Sequence, residues 1–182
     1  MNEEKKLKIF LIGYMGSGKT TLGKYIAQKT GLQFIDMDLF IENRYHKTIN
    51  AIFDERGEDG FRQIERNELA DIAQFENVVV STGGGLPCFF DNIDLMNDSG
   101  ITVYLKTNED LLVDRLYKAK EKRPLIRNKN RDELRVFVKE NLQKREIFYN
   151  KAKIIYDCNH LFRKTDFEAK SNELISLIYS FI

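Results

Sequence analysis

Residues 13–20 read Gly-Tyr-Met-Gly-Ser-Gly-Lys-Thr, a match to G-x-x-x-x-G-K-[ST], and the apolar run 7–12 leads straight into them. A chain carrying this pattern is committed to a buried strand, a glycine turn and a helix in immediate succession. In that setting successive backbone N–H groups form a nest for anionic oxygens, the lysine reaches the outer phosphates and the hydroxyl after it can hold Mg²⁺. The expectation is ATP or another nucleoside triphosphate held by Gly13, Gly16, Ser17, Gly18, Lys19, Thr20 and Thr21.

The rest of the chain alternates strand and helix signals. Residues 20–30 read as a helix closed by Gly31, followed by a short strand over 32–36. Over 38–75 apolar residues recur at helical spacing, with interruptions at 43–48, Gly57 and Gly60 that predict three helical pieces. Residues 78–81 and 101–105 read as buried strands, and Thr107 or Asn108 caps a helix running to Tyr117. Residues 118–132 are nearly all charged and lack periodicity, which predicts a mobile loop. A long helix over 133–150, a strand over 154–157 and a terminal helix complete the pattern. The predicted fold class is α/β, a three-layer sandwich around a central five-stranded parallel sheet of the P-loop NTPase type. In such sheets ligands bind at the carboxyl ends of the strands, where residues 13–20, 36–38 and 83–85 all fall.

At 182 residues the chain is predicted to form a single domain. Its 29 basic and 28 acidic side chains nearly cancel, so no nucleic-acid or membrane partner is expected and any strong positive field must be local. Cys88 and Cys158 have neither a second cysteine nor a histidine at ligand spacing, which fits a reducing cytoplasm. No signal peptide or membrane span is expected. The apolar C-terminus has Leu174, Ile175, Leu177, Ile178, Phe181 and Ile182 at helical spacing, and a core-packing helix is predicted there.

A phosphate loop alone does not choose a substrate. A base-reading Asn-Lys-x-Asp is absent, because Asn128-Lys129-Asn130 is not followed by the aspartate pattern of GTPases. Asp36-Met37-Asp38 follows the second strand, and an extended backbone would point both carboxylates to one side, one toward Mg²⁺ and one toward a substrate hydroxyl. Helix capping by Asp38 is the plainer alternative. Arg62 and Glu65 are i, i+3 neighbours, as in any surface ion pair. Gly83, Gly84 and Gly85 follow a buried strand and would let backbone N–H groups approach a ligand closely. Arg123, within the charged segment, can close over a transferring phosphate or belong to a solvated charge run. Arg145 shares a helix face with Tyr149, which can aim it or simply be covered by it.

In this order and spacing the segments resemble shikimate kinase, a family of small P-loop metabolite kinases, from residue 8 to about 157. The resemblance implies ATP as co-substrate, Mg²⁺, and shikimate as the acceptor. It implies ATP and metal binding by Lys19 and Thr20, metal support by Asp36, and a hold on the reacting hydroxyl by Asp38. It implies carboxylate binding by Arg62 and Arg145, support of Arg62 by Glu65, and substrate contacts from Gly83, Gly84 and Gly85. Lys19, Asp38 and Arg123 would carry catalysis, with Arg123 on the lid and Arg115 beside adenine. The pattern departs from the family where Ile147 replaces a proline two residues after Arg145, which predicts a shifted helix entry. Asn159 and Arg163 are further candidates on the adenine side. The expected protein is a cytoplasmic monomer. The alternatives are another small P-loop kinase, for gluconate or a nucleoside monophosphate, and a nucleotide-binding regulatory module without activity.

Overall fold

The computed structural model describes residues 6–122, 124–159 and 164–182. Five strands, β1 (Lys8–Ile12), β2 (Gln33–Asp36), β3 (Val78–Ser81), β4 (Ile101–Lys106) and β5 (Ile154–Asp157), form one sheet in the order β2-β3-β1-β4-β5. Every neighbouring pair is parallel. Each crossover carries at least one helix: α1 (Lys19–Thr30), α2 (Met37–Tyr45), α3 (Ile49–Ile72), α4 (Asn92–Ser99), α5 (Glu109–Lys118) and α6 (Arg131–Tyr149), with α7 (Lys164–Phe181) last.

The period-2 alternation of β1 divides its side chains between two cores. Phe10 and Ile12 enter a core with Met37, Ile64, Leu112 and Val138, on the side of α2 to α6. Ile9 and Leu11 enter the other with Leu22, Ile26, Leu174 and Ile178, on the side of α1 and α7. The sheet is therefore buried on both faces, which is why its central strands read as unbroken apolar runs.

Because β1 sits between β3 and β4, the chain turns to opposite sides after β1 and after β3. Ligands of parallel sheets bind in the crevice this reversal opens. Register fixes what stands there: Asp36 pairs with Ser81, and Ser81 with Leu11.

The structure corrects several expectations. The second helix continues past Asn43 to Tyr45 and is closed by His46 at φ 53°. Thr48 then caps α3, its hydroxyl accepting from the Ala51 N–H at 3.2 Å. Gly57, at φ 67° and ψ −175°, is the only non-helical residue within α3, and Gly60 lies inside a regular turn. Asp38 is not on extended backbone. Asp36 is the cap of α2, and Asp38 falls in its first turn, where a carboxylate also faces the positive end of the helix.

Within 118–132 the described residues form two short 3₁₀ turns, Lys120–Lys122 and Pro124–Ile126, and the Ile126 side chain is buried in the core. Two residues earlier than expected, Arg131 starts α6 behind a reciprocal cap between Asn130 and Glu133. In α7, Leu174 and Ile178 are buried while Leu177, Phe181 and Ile182 are exposed, so only one stripe of the apolar C-terminus packs. Among the described residues no helix is long and apolar enough to cross a membrane.

Ile126 ties the segment between α5 and α6 to the core. Ile126→Ala should lower the stability of the fold by about 3 kcal/mol in urea unfolding; a change within about 0.5 kcal/mol would show that the anchor carries no packing energy.

Candidate active site

The glycines of the phosphate loop do what no other residue could. Gly13, Gly16 and Gly18 have φ values of 141°, 82° and 100°, in the left-handed region that side chains disfavour. Gly18 is also the cap from which α1 springs, leaving the first N–H groups of that helix at the loop. Lys19, 8% exposed, donates to the carbonyls of Gly13 at 2.8 Å and Tyr14 at 3.0 Å, so its ammonium lies along the inside of the loop. The Thr20 hydroxyl donates to Asp36 Oδ2 at 2.9 Å and is 3.3 Å from the Ser81 hydroxyl. Ser17 is fully buried beneath the loop, and its hydroxyl has no partner among the described residues.

A cavity of about 350 Å³ opens over this loop. It is lined by Gly16, Gly18, Lys19, Thr20 and Thr21 of the loop and helix start, and by Asp36, Asp38, Ser81, Thr82, Gly83 and Gly84 from the ends of β2 and β3. Arg115 also faces it, its Nη1 donating to the Gly16 carbonyl at 2.8 Å. Gly13 and Ser17 support the loop without reaching the cavity. Ser81 escaped the sequence reading because it ends an apolar strand; its pairing with Asp36 could be inferred only with the sheet order in hand.

The glycine turn follows a different logic from the phosphate loop. None of Gly83, Gly84 and Gly85 has positive φ. What each lacks is room. A Cβ on Gly83 would lie 2.9 Å from Glu65 Oε1 and 3.2 Å from Asp38 Oδ1. On Gly84 it would lie 3.3 Å from the Met15 nitrogen and 3.6 Å from Arg145 Nη1, and on Gly85 it would lie 2.8 Å from Arg62 Nη1. Thus Asp38, Arg62, Glu65, Arg145 and the phosphate loop converge on three successive residues. Arg62, Glu65, Gly85 and Arg145 are not on the cavity lining; they adjoin it through this turn.

Arg62 donates to Glu65 Oε2 at 2.6 Å and to Glu58 Oε1 at 3.0 Å. Its guanidinium lies 4.2 Å over the Phe89 ring and 5.5 Å from that of Phe61, a cage that holds the fork in one orientation. Its Nε is buried without a partner among the described residues. Arg145 lies 5.4 Å over the ring of Tyr14, in the phosphate loop, and hydrogen-bonds Tyr149, whose hydroxyl donates to the Gly84 carbonyl at 2.5 Å. α6 runs unbroken through Ile147, which is 66% exposed, and Arg145 stands beside the turn.

Two carboxyls here bind protons more tightly than ordinary ones. Asp38 is exposed where it lines the cavity, yet the partial loss of water at its carboxylate, reinforced by the charge of Asp36, raises its pKa against the pull of Lys19. Burial pushes Glu65 up to about 7, a shift that the nearby Arg62 reduces and Asp38 increases. Arg123 and Arg163 lie outside the described residues. Asn159 uses its side-chain oxygen to accept from the Asn108 N–H at 2.6 Å and does not reach the cavity.

A phosphate loop, a hydroxyl–carboxylate pair and a carboxylate in one crevice of a parallel sheet define a P-loop phosphotransferase. The sequence model of the shikimate kinase family matches residues 15–177. A shikimate kinase from Parabacteroides distasonis is 50% identical over 94% of this chain and 99% of its own length. The crystal structure of shikimate kinase from Bacteroides thetaiotaomicron superposes with a TM-score of 0.92 at 48% identity, covering 95% of this chain and 98% of that one. That of shikimate kinase from Acinetobacter baumannii, in complex with shikimate, gives 0.85 at 31% identity, covering 97% and 95%. This chain belongs to the shikimate kinase family and is an ATP-dependent kinase.

The buried Glu65 makes stability depend on pH. Between its ordinary 4.5 and about 7 the folded chain keeps a proton that the unfolded chain releases. The contribution of Glu65 is therefore complete below 4.5 and lost as pH rises through about 7. Glu65→Gln should flatten the fall of Tm over that interval; an identical slope in both proteins would mean that Glu65 is ionised throughout it.

Proposed function

We propose that this chain transfers the γ-phosphoryl group of ATP to the 3-hydroxyl of shikimate, giving shikimate 3-phosphate and ADP on the way to chorismate and the aromatic amino acids. The observation that carries this reading is one cavity shared by Lys19, Thr20 and Asp38 and continued through the glycine turn to Arg62 and Arg145. Shikimate has one carboxylate and several hydroxyls, and two arginines together with a carboxylate around one turn match that set of groups.

In this account Gly16, Gly18 and the amides after them hold the phosphates, with Gly13 and Ser17 supporting the loop beneath and Thr21 on the cavity wall. Lys19 turns from its two carbonyl partners to the outer phosphate oxygens, where it neutralises charge as the bond to the bridging oxygen breaks. Arg62 and Arg145 bind the acceptor carboxylate, and Glu65 holds the Arg62 fork. Asp38 accepts a hydrogen bond from the 3-hydroxyl and aims its oxygen at the γ-phosphorus; its raised proton affinity suits it to take the hydroxyl proton as the new bond forms. Arg123, from a lid over 118–132, closes on the phosphates, and Arg115 lies beside the base.

Thr20 and Asp36 fit a magnesium site. A hydroxyl and one carboxylate at 2.9 Å, with no cluster of three acidic, histidine or cysteine groups among the described residues, is the sparse donor set of an ion that keeps waters and phosphate oxygens as its other ligands. Such an ion, when bound, offsets negative charge on the outer phosphates. The reading implies a one-domain cytoplasmic monomer acting on a small molecule, with no nucleic acid or membrane partner.

An ADP-release assay with ATP and Mg²⁺, offering shikimate, gluconate or AMP, tests the proposal. Turnover is expected with shikimate alone, and Asp38→Asn should lower kcat by at least about a hundredfold while ATP still binds. Turnover only with gluconate or AMP would replace the acceptor, and an Asp38→Asn variant of undiminished kcat would remove Asp38 from the chemistry.

A further inference from the structure

Arg62 meets two carboxylates, and they are not equivalent. Its Nη1 donates to Glu65 at 2.6 Å and its Nη2 to Glu58 at 3.0 Å. The Glu65 side chain is 2% exposed and lies against Gly83, whereas that of Glu58 is 60% exposed. A pair four residues apart on a helix with one partner in solvent is weak, because water serves that partner nearly as well. The backbone behind Glu58 also departs from the rest of α3. Gly57, immediately before it, breaks the helical run at φ 67° and ψ −175°, and a Cβ there would meet nothing within 4 Å. Glu58 therefore opens a helical stretch at a solvent-exposed kink, where its side chain can turn into water without moving a packed neighbour.

Arg62 does not have that freedom. Phe89 lies 4.2 Å over its guanidinium, and the rings of Phe61 and Phe53 lie 5.5 and 5.9 Å from it. With the face covered, a further carboxylate can be received only in the guanidinium plane, along the rim that carries the N–H donors. That rim adjoins the glycine turn, since a Cβ on Gly85 would lie 2.8 Å from Nη1 and 2.9 Å from Nη2. Both of these nitrogens already hold a carboxylate. Glu65 is buried and has no water to move into, so the seat an incoming anion can take at this arginine is the one that Glu58 fills.

We propose that Glu58 is a built-in competitor of the acceptor: its carboxylate fills the Arg62 fork in the empty protein and is exchanged for the carboxylate of the acceptor on binding. The proposal rests on the reading of Arg62 as an acceptor-binding residue and deepens it, by naming what that residue must release. Glu58 keeps the fork neutralised between turnovers, so an anion with nothing further to offer Arg145, Asp38 and the glycine turn gains too little to displace it. Glu58 thus sets affinity and selectivity for the acceptor and takes no part in bond making.

The sign of one measurement separates a competitor from a support. Shikimate affinity by calorimetry, and KM for shikimate and for ATP, would be determined for the wild-type protein, Glu58→Gln, which keeps the size and loses the charge, and Asp59→Asn. Asp59 is the next residue and also exposed, so its substitution removes the same charge without emptying the Arg62 fork. Glu58→Gln is expected to bind shikimate about threefold more tightly and to lower its KM to match, with the KM for ATP unchanged. Asp59→Asn should leave all three values as they are. Weaker shikimate binding by Glu58→Gln would overturn the proposal, since Glu58 would then hold the fork in place as Glu65 does. Unchanged affinity would overturn it too, and so would equal tightening by both variants, which would assign the effect to the general field of the helix. Failure of the wild-type protein to bind shikimate would instead bring down the acceptor reading on which the proposal stands.

Discussion

The functional architecture depends on three residues that have no side chains where side chains from elsewhere must be. At the end of β3 the backbone passes within contact distance of the phosphate loop on one side and of Arg62, Glu65 and Asp38 on the other. Those groups come from α2 and α3, far from the loop in sequence, and Arg145 comes from α6. Only a bare backbone lets three helices and a loop bring charged groups to one place without forcing them apart. Local packing thereby sets the distance between phosphate donor and acceptor, the quantity on which phosphoryl transfer depends most.

Charge follows the same arrangement. The chain is nearly neutral, yet Lys19, Arg62 and Arg145 stand near Asp36, Asp38 and Glu65, with Lys19, Arg62 and Glu65 buried. Each cation has a local acceptor or ring that holds it in place: two loop carbonyls for Lys19, Glu65 and Phe89 for Arg62, Tyr14 for Arg145. Because Tyr14 belongs to the phosphate loop, the arginine proposed to grip the acceptor is packed against the element proposed to grip ATP. A site organised before its ligands arrive loses less entropy on binding them.

Much of this was legible in the chain. The strands could be read because both faces of the sheet are buried, which leaves uninterrupted apolar runs, and the phosphate loop because its chemistry is local and its spacing rigid. The glycine turn stands out in the chain for the access it gives a ligand to N–H groups, and the structure adds a second reason, the space it leaves for Arg62 and Glu65. Asp38 was placed on extended backbone because no local signal shows that Asp36 already caps a helix. Ser81 carries no signal in the chain, since a serine ending a strand has no pattern; it matters through what the sheet order brings beside it. The exposed edge of α7 shows the limit of periodicity, which locates an apolar face and not how much of it another element covers.

The central claim is that the empty volume at Gly85 seats the Arg62 guanidinium. Its most direct test is steady-state kinetics of Gly85→Ala, in a variant whose thermal transition stays cooperative. A methyl group there would meet Arg62 Nη1 at 2.8 Å and displace the fork. The account predicts a KM for shikimate raised by about tenfold or more, through lost charge-assisted binding, with the KM for ATP unchanged. An unchanged KM for shikimate, or an equal rise for both substrates, would contradict it.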